Sequence, residues 1–430
     1  MRLFIGLLAS LTISISSTAD TLIKNVTAIT MHGDQVIENA IVYIVADRIE
    51  YVGSAESAPT FVRAPDLEID GTGKFLIPGL AEMHGHLPSS SADATITKQT
   101  LFLYLAGGVT TVRGMLGHPV QFEMRQAINA GKLDGPTLYL AAPSLNGNSV
   151  SSPQDGVNKA KQYHADGYDL LKIHPGLKRN EYKAIAETAN ILGMPFGGHV
   201  PAEVGLEMAL SYGQTSIDHI DGFLELVDAY DHAITPAELS RIVEVYKAAK
   251  PSWIVPTQAL FAILIVGGDA DSLAARPENV YMPAKTRANW ARRLKAIDGT
   301  AAKHAPLNRQ KALRALAQAG AKIAMGSDAP QLYSVPGFSL KREVETLIDA
   351  GFSAKEILKI STYNAGEYFQ DKDNFGQIIK GHRADFLLLD ADPRRDAMNL
   401  FKHSGVMAAG RWFSREVINT RLADIIEENK

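Results

Sequence analysis

The chain has 430 residues, of which 46% are hydrophobic and 21% charged, with a formal net charge of −4 and no cysteine. That length fits two or three average domains, or one large α/β barrel with an appendage, and the apolar and charged fractions are those of a globular protein. Without a basic surplus there is no footing for nucleic acid as a partner, and without cysteine there are no disulfides, zinc–thiolate sites or cysteine nucleophiles. A small-molecule substrate fits better than a polyanion.

Residues 1–19 read as an export signal: the short basic start "MR", the apolar stretch "LFIGLLASLTISI", and small residues at Ser17 and Ala19, with cleavage expected after Ala19. The stretch is short for a bilayer span and no cysteine follows it to carry a lipid. The expected location is therefore secreted or periplasmic, with no membrane attachment after cleavage.

Residues 21–70 carry short Val/Ile-rich runs, "TLIKNVTAIT", "AIVYIVADRIEYVGS" and "DLEID", separated by Gly, Asp and Asn, the pattern of strands and turns. Similar runs return at 375–390, "FGQIIKGHRADFLLLD", and 404–414, "SGVMAAGRWFS". The two ends of the chain are expected to pair into one small β-sandwich, residues 20–70 giving the first part and 373–430 the second part and tail. Two unrelated edge hairpins fit the same pattern.

Between them, residues 71–372 alternate strand-like and helix-like runs. The expected strands are "FLIPGLAEMH", "GVTTVR", "TLYLAAP", "DLLKIH", "MPFGGHV", "TSIDHI", "WIVPTQ" and "KIAMGSD". Intervening stretches such as "NEYKAIAETANILG" and "PAEVGLEMALSYG" close on Gly, as helices often do. Repeated β-then-α units predict a parallel sheet, and eight of them predict a (β/α)8 TIM barrel. A doubly wound sheet would need a Gly-rich phosphate turn after its first strand, and "GTGKFLIPG" precedes that strand instead. Residues 259–321 exceed what one barrel unit needs. They are expected to form a lid or specificity element, or else a packing or oligomer contact.

Catalytic side chains of such barrels lie at the C-terminal strand ends. Those ends carry His84 and His86, Lys172 and His174, His199, His219 and Asp328, while the other histidines scatter through helices and loops. His84 and His86 stand two apart, so on a strand both imidazoles leave on one face, as two ligands of one metal would. A lysine inside "DLLKIHP" is costly to bury unpaired. Lys172 either snorkels, pairs with an acid such as Asp328, or is neutralised and carboxylated, so that its carbamate bridges two metals. Nitrogen and oxygen ligands make zinc the first choice among divalent ions.

With "IPGLAEMHGH", "GGVTTVRGM", "DLLKIHPG", "GGHV", "SIDHID", "MGSDA" and the closing "GQIIKGHRADFLLLD" in this order, the chain resembles the amidohydrolase superfamily from about residue 21 to about 415. The branch is that of imidazolonepropionase-like and Xaa-Pro dipeptidase (prolidase-like) metal-dependent hydrolases. The resemblance implies that His84, His86 and Asp328 hold one metal, that His199 and His219 hold the second, and that carboxylated Lys172 bridges them. Mononuclear imidazolonepropionases lack the bridging lysine, so its presence favours the binuclear, prolidase-like group. The expected activity is hydrolysis of a C–N amide bond, of an N-acyl amino acid or dipeptide, by a hydroxide shared between the metals, with Asp328 as general acid and base. A mononuclear cyclic-amide hydrolase, a lactone or phosphotriester hydrolase, and an inactive binding protein are the alternatives.

His174, two residues beyond Lys172, is expected to face the same lumen and either stabilise the developing oxyanion or support a ligand. Arg113 would clamp a substrate carboxylate or make a structural salt bridge, and His118 would touch substrate. Asp218 and Asp221 read as structural. The family usually has an acid where this chain has Gly114, so no role can be carried over for that position. A homo-oligomer is left open.

Overall fold

The computed structural model describes residues 20–430, and the expected export signal lies outside these. Five strands open the described chain: β1 Thr21–Ile29, β2 Val36–Val45, β3 Arg48–Ser54, β4 Leu67–Asp70 and β5 Phe75–Pro78. β1 pairs antiparallel with β2 and parallel with both β4 and β5. Its buried side chains change parity midway, from Thr21 and Ile23 to Val26 and Ala28. The register shifts at that point and Asn25 takes φ 58, a bulge that keeps the apolar side chains on the core face after one extra residue.

Barrel strands follow: β6 Leu80–Gly85, β7 Val109–Gly114, β8 Thr137–Leu140, β9 Leu171–Ile173, β10 Phe196–Gly198, β11 Ser216–Asp218, β12 Trp253–Val255 and β13 Lys322–Ile323. All their pairings are parallel, in one arc of β6-β7-β8 and another of β9 to β13. Backbone hydrogen bonds tie both seams. Ala142 N–H donates to Leu170 O at 2.8 Å and Leu145 N–H to Lys172 O at 2.9 Å. Across the other seam, Met83 N–H donates to Met325 O at 2.7 Å and Asp328 N–H to His84 O at 2.8 Å. The second pair holds the Asp328 backbone against that of His84.

Three more strands, β14 Phe386–Leu389, β15 His403–Ala408 and β16 Arg411–Ser414, return to the terminal sheet. β14 pairs antiparallel with β5, Leu387 opposite Ile77, so both ends of the chain share one eight-stranded sheet with a core of its own. The expected first barrel strand is thereby two strands, divided at Gly79. A Cβ there would lie 2.1 Å from Thr110 Oγ1, so the chain can cross from sheet to barrel only as glycine. The boundary expected after residue 70 falls at Gly79.

The expected helices form as amphipathic elements on the outside of the barrel. "NEYKAIAETANILG" supplies the helix Arg179–Leu192 from its second residue and the Gly193 that closes it, at φ 63. The long connection begins as the helix Gln258–Val266 and includes the helix Ala284–Leu294; its last helix, Ala305–Gln318, leads into β13. A helix the sequence reading left as tail, Arg415–Glu428, lies against the barrel, Gln99 Nε2 donating to Glu428 Oε2 at 2.8 Å. No helix among the described residues is long and apolar enough to cross a membrane.

Candidate metal centre

At the C-terminal ends of the barrel strands, His84, His219 and Asp328 each offer a ligand atom, and these atoms lie within 4.8 Å of one another. His84 comes from β6. His219 follows β11 in a left-handed turn, φ 63, and Asp328 follows β13 with φ 60. Asp is among the few residue types that take this conformation readily. Asp328 Oδ1 is 2.5 Å from His86 Nε2 and accepts from Gln331 Nε2 at 3.2 Å. The His199 ring lies 4.4 Å from that of His219 and 4.9 Å from that of His174.

Each deep imidazole is held by its Nδ1. His84 Nδ1 is 2.7 Å from Asp218 Oδ2, His199 Nδ1 2.6 Å from Asp221 Oδ2, and His219 Nδ1 2.7 Å from Thr257 Oγ1. Burial opposes ionisation of Asp218, but the Arg113 and Lys172 cations outweigh it and hold the carboxyl below its usual range. As an anion, Asp218 accepts the Nδ1–H of His84 and leaves Nε2 as a lone pair facing the cluster. Burial, reinforced by neighbouring cations, holds His84 and His219 well below the ordinary imidazole range, so both are neutral donors.

Lys172 is fully buried and its Nζ donates to His84 Nε2 at 3.2 Å. Burial brings its amine down to about 8, against the pull of Asp218 and Asp328. Gly198, at φ 120, makes room for its stem: a Cβ there would come within 3.1 Å of Lys172 Cδ. Beneath the cluster, Glu82 accepts from His84 N–H at 3.0 Å, Ser327 N–H at 2.8 Å and Ser327 Oγ at 2.5 Å, joining the first and last strand ends. Burial pushes its carboxyl up to about 8.

Of the two readings of Arg113, the structural salt bridge is the one observed and the carboxylate clamp is corrected: Arg113 is 0% exposed, and both NH2 contacts, 3.1 and 3.0 Å, go to the two oxygens of Asp218. Its Nε donates to Met83 O at 2.5 Å, so the fork that would clamp a carboxylate is already filled. His118 is exposed, and its Nδ1 accepts from Val120 N–H at 3.3 Å in the turn before the helix Gln121–Asn129. Among the described residues no contact ties it to the centre. At Gly114, where the family usually has an acid, a Cβ would lie 2.8 Å from Leu87 Cδ1, so a side chain there would have to displace Leu87.

A family model described as the Amidohydrolase family matches residues 75–413. The chain belongs to that family. In sequence it is 26% identical over 223 residues to an adenine deaminase of Ruegeria sp. (strain TM1040), covering 49% of this chain and 36% of that one. The chain spans about a third of the length of the curated relatives it matches. In structure it is similar to bottromycin amidohydrolase, with TM-score 0.71 and 21% identity over 95% of this chain and 90% of the other. It is likewise similar to a Xaa-Pro dipeptidase with bound methionine in the active site, with TM-score 0.67 and 21% identity over 92% of this chain and all of the other (100%).

In this amidohydrolase the donor set fits a divalent metal. His219 Nε2 is buried without a hydrogen-bond partner, while its Nδ1 is fixed on Thr257. With Nδ1 donating to Thr257, Nε2 is left with a lone pair and no partner, which is what a ligand atom requires. His174 Nδ1 is 2.5 Å from Ser144 Oγ, and burial brings its imidazole down to about 2, so the ring is neutral. A cavity of about 610 Å³ lies elsewhere: Thr137 at the start of β8 lines it, with Arg48 and Arg383 both turned to Asp373.

Sequence reasoning set aside Asp218 and Asp221, and did not pick out Thr257, Ser144 or Glu82. Strand alternation would turn Asp218 away from His219, but the left-handed turn at His219 ends that alternation. The acids flanking His219 in "SIDHID" were the available signal.

Proposed function

We propose that this amidohydrolase is an exported, metal-dependent hydrolase of C–N amide bonds in N-acyl amino acids or dipeptides. The observation that carries the reading is the buried cluster of His84, His219 and Asp328, whose ligand atoms lie within 4.8 Å of one another, together with a His219 Nε2 that is buried without a hydrogen-bond partner. His84, His86 and Asp328 would hold one zinc and His199 and His219 a second, with carboxylated Lys172 between them. Fold likeness to a Xaa-Pro dipeptidase and an amidohydrolase supports a peptide-like amide as substrate. Bound divalent ions acidify a water to near neutrality and polarise the scissile carbonyl.

The chain's own groups do the rest. Lys172, its amine brought down to about 8, is a neutral nucleophile at mildly alkaline pH: as Nζ bonds to the carbon of carbon dioxide, one C–O π pair moves onto oxygen and the Nζ proton passes to water, leaving a carbamate anion. Asp328 takes the water's proton on a carboxylate oxygen and delivers it to the nitrogen of the leaving amine. With Ser144 Oγ–H donating to Nδ1, neutral His174 keeps its proton on Nε2 and donates it as a hydrogen bond to the carbonyl oxygen as charge develops. Arg113 and Asp218 keep the His84 ring aimed at the cluster.

The test is amine release from a panel of N-acyl amino acids and dipeptides by the zinc-loaded protein. Release that disappears on chelation, returns with zinc, and falls by about 10²-fold or more in Asp328→Asn agrees with the reading. Cleavage confined to lactones or phosphotriesters would overturn it.

A further inference from the structure

The long connection between β12 and β13 opens with a helix, Gln258–Val266, whose sequence QALFAILIV is apolar after its first residue. Leu260 and Ile263 are buried, while Phe261, Ala262, Leu264, Ile265 and Val266 are partly buried, Leu264 and Ile265 with one side packed against the core. Phe261, Leu264 and Ile265 stand at i, i+3 and i+4, so they share one face. That face begins at the metal centre: the Phe261 ring lies on the His219 imidazole, with centroids 4.4 Å apart and planes 21° from parallel.

The helix is fixed to the barrel at its start. The two oxygens of buried Glu343 accept from Gln258 N–H at 2.8 Å and Ala259 N–H at 2.9 Å. Arg309 Nε donates to Gln258 Oε1 at 2.8 Å, its NH2 to Pro256 O at 3.2 Å, and its guanidinium lies 4.8 Å from the Phe261 ring centroid. Buried charged groups on both sides therefore set the position of Phe261 over His219. What remains accessible of this apolar face is continuous with the ring stacked on a candidate metal ligand.

We infer that the face formed by Phe261, Leu264 and Ile265 is the wall of the substrate pocket on the His219 side. It receives an apolar acyl chain or side chain attached to the scissile amide. The preferred substrates are thus amides of medium-chain aliphatic or arylalkyl acids, and the polar end of the substrate lies away from this helix. This inference rests on the amide-hydrolase reading above and names the substrate class within it.

The experiment compares kcat/KM of the full-length, zinc-loaded protein for N-acyl amino acids of one amino acid, from acetyl to octanoyl, in wild type and in a Leu264→Gln/Ile265→Gln double variant. A rise of about fourfold per methylene in wild type, carried by KM and flattened in the variant at unchanged zinc content, is the expected result. A flat series in wild type overturns the inference. If no amide in the series is cleaved, the amide reading has failed, and octanoate binding followed by calorimetry still decides the wall. Binding weakened at least tenfold in the variant supports the wall, and equal binding overturns it. A wild-type dimer that the double variant dissociates would show a second copy on this face, which also overturns it.

Discussion

Asp218 shows how much of this site depends on residues that touch no substrate. It accepts from His84 Nδ1 at 2.7 Å and is gripped by both oxygens from Arg113, with no exposure on either side chain. Asp218→Asn removes the charge that fixes the His84 tautomer, and zinc affinity is expected to fall about 10- to 100-fold by chelator competition. Unchanged affinity would contradict this role. Gly114→Asp is expected to cost about 1 to 3 kcal/mol, read as a lower denaturant midpoint, because Leu87 Cδ1 stands 2.8 Å from the new Cβ. His84, His86, Lys172, His199, His219 and Asp328 were legible because they mark strand ends in an alternating β/α sequence. For Arg113 the sequence left a clamp and a salt bridge side by side, since it cannot say whether an arginine's fork is already filled by an acid a hundred residues on.

Elements carry the electrostatics of the second tier. Burial pushes the Glu343 carboxyl from 4.5 to about 7, while its oxygens hold the N-terminus of the helix Gln258–Val266. A carboxyl raised in the folded state contributes stability that is full below pH 4.5 and is lost as pH climbs through about 7. Glu343→Gln mimics the protonated form, so the variant is expected to lose less stability than wild type across that window. The difference is on the order of 2 to 3 kcal/mol in unfolding free energy. Superimposable curves would refute it. The sequence showed that residues 259–321 were too long for a barrel unit, but not that their first helix stacks Phe261 on His219. Proximity across the barrel mouth is a tertiary fact. The strand expected over 75–84 divided for a local reason, the contact of Gly79 with Thr110.

On the scale of the whole molecule, the first and last segments depend on each other. β14 is the antiparallel partner of β5, immediately before the strand that ends in His84 and His86. A chain ending at Arg383 loses β14, β15 and β16 and leaves β5 as an open apolar edge. It is expected to be insoluble or to lack native circular dichroism; a soluble truncation with native zinc content would contradict this. Val/Ile-rich runs at both ends made this shared sheet readable in advance. The helix Arg415–Glu428, which lies against the barrel beyond it, carried no comparable pattern.

The proposed function rests on a binuclear centre built from the strand-end imidazoles, Asp328 and a carboxylated Lys172. Its test is metal per chain, by elemental analysis of protein purified without chelator, beside Lys172→Ala. Two zinc equivalents are expected in wild type, fewer in the variant, and partial recovery when a short carboxylic acid is supplied in place of the carbamate. One equivalent in both proteins, indifferent to Lys172, would contradict it.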